Sequence, residues 1–94
     1  MPPAAPRSHA RKVVIRLRAI EDCWVEFTTP RGRYLSQSVV TGGTSRRWVF
    51  RHGVDMRLGN PGGIRLMVDG RNALPPGAAE PITLRLRPDG RVPG

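Results

Sequence analysis

With 94 residues, 38% of them apolar and 5% aromatic, the chain can fill one thin core but not the deep chamber of a substrate-processing enzyme. Its 11 glycines and 10 prolines run the whole length, which argues against long helices and for many short strands reversed by turns. A net charge of +9 gives a field that attracts nucleic acid, anionic lipid or an acidic wall polymer in a salt-dependent way.

Residues 1–12, rich in Pro, Ala and Arg and without periodicity, read as a disordered linker. They lack the apolar stretch of a signal peptide, and no run approaches the ~18 apolar residues of a membrane helix. A role outside the cytoplasm therefore calls for a segment upstream. The folded domain is expected over 13–87, with 88–94 a flexible tail.

Order begins at Val13. Val13, Ile15, Leu17 and Ala19 alternate with Val14, Arg16 and Arg18, the period of two that sends one face of a strand to the core and the other to water. Cys23 to Thr28 follows, with Cys23, Val25 and Phe27 on one face and Trp24, Glu26 and Thr28 on the other. Thr29-Pro30-Arg31-Gly32 places Pro second and Gly fourth, the pattern of a type I turn, and predicts a hairpin into a third strand over Tyr34 to Val40. After Thr41-Gly42-Gly43-Thr44, Arg46 to Arg51 reads as a fourth strand with Trp48 and Phe50 on one side.

The fifth and sixth strands are the cleanest. Val54, Met56 and Leu58 alternate with Asp55 and Arg57, and Ile64, Leu66 and Val68 alternate with Arg65, Met67 and Asp69. Asp69-Gly70 supplies positive φ for a tight hairpin, so Asn72 to Leu74 is expected to fold back briefly on the sixth strand. Ile82, Leu84 and Leu86 alternate with Thr83, Arg85 and Arg87 in a last strand over Pro81 to Arg87. No segment has helical periodicity. About seven strands at this spacing predict an all-β fold, a sandwich rather than a barrel because nothing in the pattern demands closure.

No nucleophile with a base, no carboxylate pair in a desolvating frame, no metal-ligand spacing and no cofactor motif occurs, so no catalytic, metal or cofactor role is assigned. His9 and His52 stand alone, and Ser36, Ser38 and Ser45 lack an elbow motif. The acidic cluster Glu21, Asp22 and Glu26 is expected to be wet and to pair with neighbouring arginines. Cys23, the one cysteine, is expected to be a buried small hydrophobe.

Gly59, Asn60, Pro61, Gly62 and Gly63 form a structural turn in this reading, because they join two strands and lack the Lys-Ser/Thr that opens a helix in a phosphate loop. Positive φ is expected there, with Gly62→Val impairing folding. Trp24 is expected half-buried at a sheet edge, Phe27 and Phe50 in the core. The candidate interaction surface is Arg16, Arg18, Arg47, Trp48, Arg57, Arg65, Arg85 and Arg87, which become one basic surface if their strands share a sheet. Aromatics among Arg46, Arg47 and Arg51 also suggest an alternative, an intracellular basic β-domain that stacks single-stranded nucleic acid.

The order of Asp22-Cys23-Trp24-Val25-Glu26, a Gly-containing turn and apolar strand over Gly32 to Val40, Gly43-Thr44-Ser45, then Leu58-Gly59-Asn60-Pro61-Gly62-Gly63-Ile64 and Asp69-Gly70-Arg71 resembles the C-terminal domain of the RodZ family. Cys23, Pro61 and the Arg content depart from the family pattern. The resemblance covers Val13 to about Leu86 and implies a seven-stranded immunoglobulin-like β-sandwich. It also implies a place outside the cytoplasmic membrane of a bacterium, tethered through a membrane segment absent from this chain. In that setting a non-catalytic module would link the MreB cytoskeleton to peptidoglycan synthesis by contacting wall-synthesis membrane proteins or an anionic wall or lipid polymer.

Overall fold

A computed structural model describes residues 12–88. His9, most of the expected linker and nearly all of the expected tail lie outside them. The strands are β1 (Val13–Ala19), β2 (Cys23–Thr28), β3 (Tyr34–Val40), β4 (Ser45–Phe50), β5 (Val54–Leu58), β6 (Ile64–Val68), β7 (Arg71–Asn72) and β8 (Ile82–Leu86). They form two four-stranded sheets, β4-β1-β6-β7 (sheet I) and β3-β2-β5-β8 (sheet II), antiparallel throughout. Among the described residues the strands are eight rather than seven. The eighth is β7, two residues long and so too short to show an alternation of its own; it pairs with Val68 and Met67 across the Asp69-Gly70 turn.

That turn has the backbone its sequence asks for, with φ of 52° at Asp69 and 83° at Gly70. The Thr29–Gly32 turn closes as expected too, the Gly32 amide donating to Thr29 O at 2.8 Å.

Period-two alternation builds the core. Val13, Ile15, Leu17, Ala19, Ile64 and Leu66 from sheet I meet Cys23, Val25, Phe27, Val54, Met56 and Leu58 from sheet II, all buried. Each such aliphatic or aromatic side chain contributes about 1.5–3 kcal/mol when withdrawn from water, which is what holds the layers together. Phe27 is the keystone between sheets: its ring lies 5.0 Å from Trp48 in an edge-on arrangement and 4.8 Å from Phe50 at a tilt. Such contacts add about 0.5–1.5 kcal/mol each beyond the buried area.

Cys23 is buried, as expected, its thiol reaching Trp24 O at 3.5 Å. Trp24 is half-buried, but not at an edge. β2 lies between β3 and β5, and the indole leans over Gly59, where an added Cβ would sit 3.3 Å from Trp24 Cβ.

Candidate interaction surface

Strand register fixes which outward side chains are neighbours. Across sheet I, Arg16 of β1 lies directly opposite Arg47 of β4 on one side and Met67 of β6 on the other. Arg18 lies opposite Ser45 on β4 and Arg65 on β6. Val14 and Val49 form the next row. Opposed residues in such a sheet carry Cβ atoms about 4.5–5.5 Å apart, and alternate residues along a strand are about 7 Å apart. Four exposed arginines thus share one small face, with Met67 exposed beside Arg16 and Arg65 and Val49 exposed next to Arg47 at its margin. No outward position of these four strands holds an acid. Asp69, at the end of β6, is occupied with the Val14 amide at 2.9 Å.

Sheet II is built differently. Glu26 stands opposite Arg57, and Asp55 opposite Arg85. Arg87 reaches the Asp55 carboxylate at 3.2 Å and also donates to Val54 O and Leu86 O. The eight candidate residues therefore do not form one surface: Arg16, Arg18, Arg47 and Arg65 come together, while Arg57, Arg85 and Arg87 lie across the core on the opposite sheet.

Trp48 belongs to neither outer face. It shares the inward parity of Ile15, its cross-strand neighbour, and packs on Phe27. Arg46 covers it from the edge, the guanidinium carbon 5.3 Å from the ring centroid. With Trp48 and Phe50 spent on the core, the aromatic platform that motivated a nucleic-acid reading is not present on β4. Val49 and Met67, missing from the candidate set, were legible from the same alternation that places their neighbours inside.

The Gly59–Gly63 segment is a structural turn, made differently from expectation. Pro61–Gly63 form a single 3₁₀ turn, and neither Asn60, at φ −141°, nor its glycines take positive φ. Asn60 Nδ2 donates to Glu21 Oε1 and Asp22 O, both at 3.1 Å, while Gly63 O accepts from the amides of Ile20 and Glu21. Gly63 is the demanding position: a Cβ there would meet Asn60 Nδ2 at 2.5 Å and Glu21 Oε1 at 2.7 Å. Gly62 is exposed, and its nearest contact would be an ordinary 3.4 Å, so Gly62→Val should be the milder change.

This lattice also revises the expected salt bridges. Glu21 bonds Asn60, Asp22 Oδ1 accepts from the Gly42 amide at 2.7 Å, and the ion pair found among the described residues is Arg87–Asp55.

A groove of about 600 Å³ opens beside the basic face, between β6 and the Leu74–Ala78 segment, with Arg65 and Met67 on its wall. Among the described residues, no group of three or more His, Cys, Asp or Glu is placed to hold a metal ion. No helix among them is long and apolar enough to cross a membrane.

The family model described as the RodZ C-terminal domain matches residues 16–87. No curated protein and no solved structure matches the chain.

Proposed function

The chain belongs to the RodZ C-terminal domain family, a non-catalytic family whose membership suggests a role in cell shape. On that premise we propose that it is the extracytoplasmic binding module of a membrane-tethered RodZ-like protein, immunoglobulin-like in connectivity, which links the MreB cytoskeleton to peptidoglycan synthesis. Its ligand in this reading is an anionic component of the wall or membrane surface.

The observation that carries the proposal is the outer face of sheet I. Like charges directly opposite one another weaken a sheet, and here two such pairs, Arg16/Arg47 and Arg18/Arg65, adjoin with no acid at any outward position of the strands, Asp69 lying past the end of β6. A polyanion laid across the face removes that repulsion and takes bidentate hydrogen bonds from the guanidinium forks. The exposed Val49 and Met67 at the margin of the arginines suit a headgroup boundary better than a purely ionic polymer.

The test is co-sedimentation with vesicles of anionic and of zwitterionic lipid at two salt concentrations. Binding to anionic vesicles that weakens with salt and depends on Arg16 and Arg65 is expected. Equal binding to both lipids, or binding indifferent to those arginines, would refute it. A titration with single-stranded DNA serves as counter-assay, because submicromolar affinity at physiological salt would favour a nucleic-acid partner instead.

A further inference from the structure

Among the described residues, three of the four sheet edges are guarded against pairing with another chain. β4 carries Arg46 and Arg47, β8 carries Arg85 and is flanked by Pro81 and Pro88, and β7 is two residues long. The fourth edge, β3, is not. It runs seven residues, Tyr-Leu-Ser-Gln-Ser-Val-Val, with no charge and no proline, and leaves Tyr34, Leu35 and Val39 exposed at 55%, 41% and 57%. Its one irregularity is a bulge where Leu35 is passed over, between the pairs Phe27–Ser36 and Thr28–Tyr34.

Which backbone groups β3 offers follows from the ladder. Trp24 O accepts from the Gly59 amide, so Trp24 and, by alternation, Glu26 turn their backbone groups toward β5. Val25 and Phe27 then bond to their partners Ser38 and Ser36. Gln37 and Val39 are left with amide and carbonyl facing the open edge.

We propose that β3 pairs antiparallel with β3 of a second copy of this chain, across a two-fold axis at Gln37. The strand is self-complementary in that register. Gln37 meets Gln37, that pair exchanging two hydrogen bonds at the axis, and the open-edge amide and carbonyl of Val39 face Leu35, the bulge residue of the other copy. Leu35 and Val39, both exposed, cover one another twice. The strand ends are complementary in charge as well. Arg33, one residue before β3, arrives opposite Thr41, next to the Gly42 amide that holds Asp22, with Glu21 beside it. In-register parallel pairing would set Arg33 against Arg33. For a protein of net charge +9, a neutral strand ending in opposite charges is the edge at which two copies can meet.

This pairing goes beyond the proposed function but bears on it. A two-fold axis perpendicular to the sheet turns the outer faces of both sheets I the same way. The two sets of four arginines then face one surface together, and the second binding event becomes intramolecular.

Sedimentation of the chain over concentrations up to about 1 mM reads the association directly. The expected result is a species of twice the 10.4 kDa monomer mass. Val39→Lys, which puts a charge on the open edge without touching the β2 ladder, is expected to weaken it at least about tenfold with an unchanged melting temperature. As an independent probe, Gln37→Cys at the axis should oxidise to a covalent dimer, because opposed Cα atoms about 5.5 Å apart suit a disulfide. Thr83→Cys on β8 should not. A wild-type chain monomeric throughout, a dimer indifferent to Val39→Lys, or cross-linking at residue 37 no faster than at residue 83 would each overturn the pairing. Monomers that still bind anionic vesicles would sink the pairing alone and leave the basic face standing.

Discussion

On the outer face of sheet II, Arg57 lies opposite Glu26, Arg85 opposite Asp55, and Arg87 closes onto Asp55 at 3.2 Å. On the outer face of sheet I, Arg16 and Arg18 lie opposite Arg47 and Arg65. Both faces use the same residue type on the same kind of strand, so the difference is in the partners. Sheet II answers its arginines from within the chain and is close to neutral. Sheet I sets no acid opposite them. Arginine content alone says little about binding in so basic a chain, whereas the cross-strand neighbour of each arginine separates a charge-balanced face from one proposed for recognition.

The sharpest way to break that contrast is through Trp48, which the fold withholds from both faces. If it is a core residue, Trp48→Ala should lower the unfolding free energy by about 3 kcal/mol, the low end for losing a large aromatic because the ring is only half-buried. Chemical denaturation measures this directly. Vesicle binding by the fraction that remains folded should be unchanged. A stable variant that has lost binding would move the tryptophan onto the recognition face.

Next in size is the paired removal of charge. Arg16→Ala with Arg65→Ala takes two cations from sheet I, and Arg57→Ala with Arg85→Ala takes two from sheet II, so the two variants have equal net charge. At about 1 kcal/mol per basic residue near an anionic surface, the first should bind anionic vesicles about thirtyfold more weakly at low salt. The second should change binding no more than a few-fold. Equal losses from both would mean that total charge, not the face, is what the ligand reads.

The strands were legible because one physical rule, alternation, governs them: β1, β2, β5, β6 and β8 bury the residues that their sequences alternate. The turn at Asp69-Gly70 was legible because its backbone demand is local. What the sequence could not reveal was partnership. That Arg57 shares a strand pair with Glu26, while Arg16 shares one with Arg47, depends on which strands are neighbours, and β1 finds both of its neighbours far along the chain, in β4 and β6. The same blindness moved the critical glycine from Gly62 to Gly63, because a Cβ there would strike Asn60 Nδ2 and the Glu21 side chain to which it bonds, and Glu21 lies 42 positions earlier. The sheet-I set was thus present within the candidate arginines, mixed with three that belong elsewhere.

The smallest effect trades one face's character for the other's. Arg47→Glu would put a carboxylate opposite Arg16 and diagonal to Arg18, converting a repelling pair into an attracting one on an exposed edge strand. Cross-strand pairs are worth about 0.2–1 kcal/mol in either sense, so the gain should be near 1 kcal/mol, or about 4–8 °C in melting temperature for a domain of this size. It should shrink as salt screens the charges. Glu26→Lys makes the converse change opposite Arg57 and should lower the melting temperature by a similar amount. Binding should move against stability in the first case, with Arg47→Glu more stable and weaker on anionic vesicles. That opposition is expected only if the repulsion on sheet I is maintained for a ligand that relieves it. If Arg47→Glu is no more stable than the native chain, the arginines are already far enough apart in water to ignore one another, and sheet I holds no repulsion for a ligand to relieve.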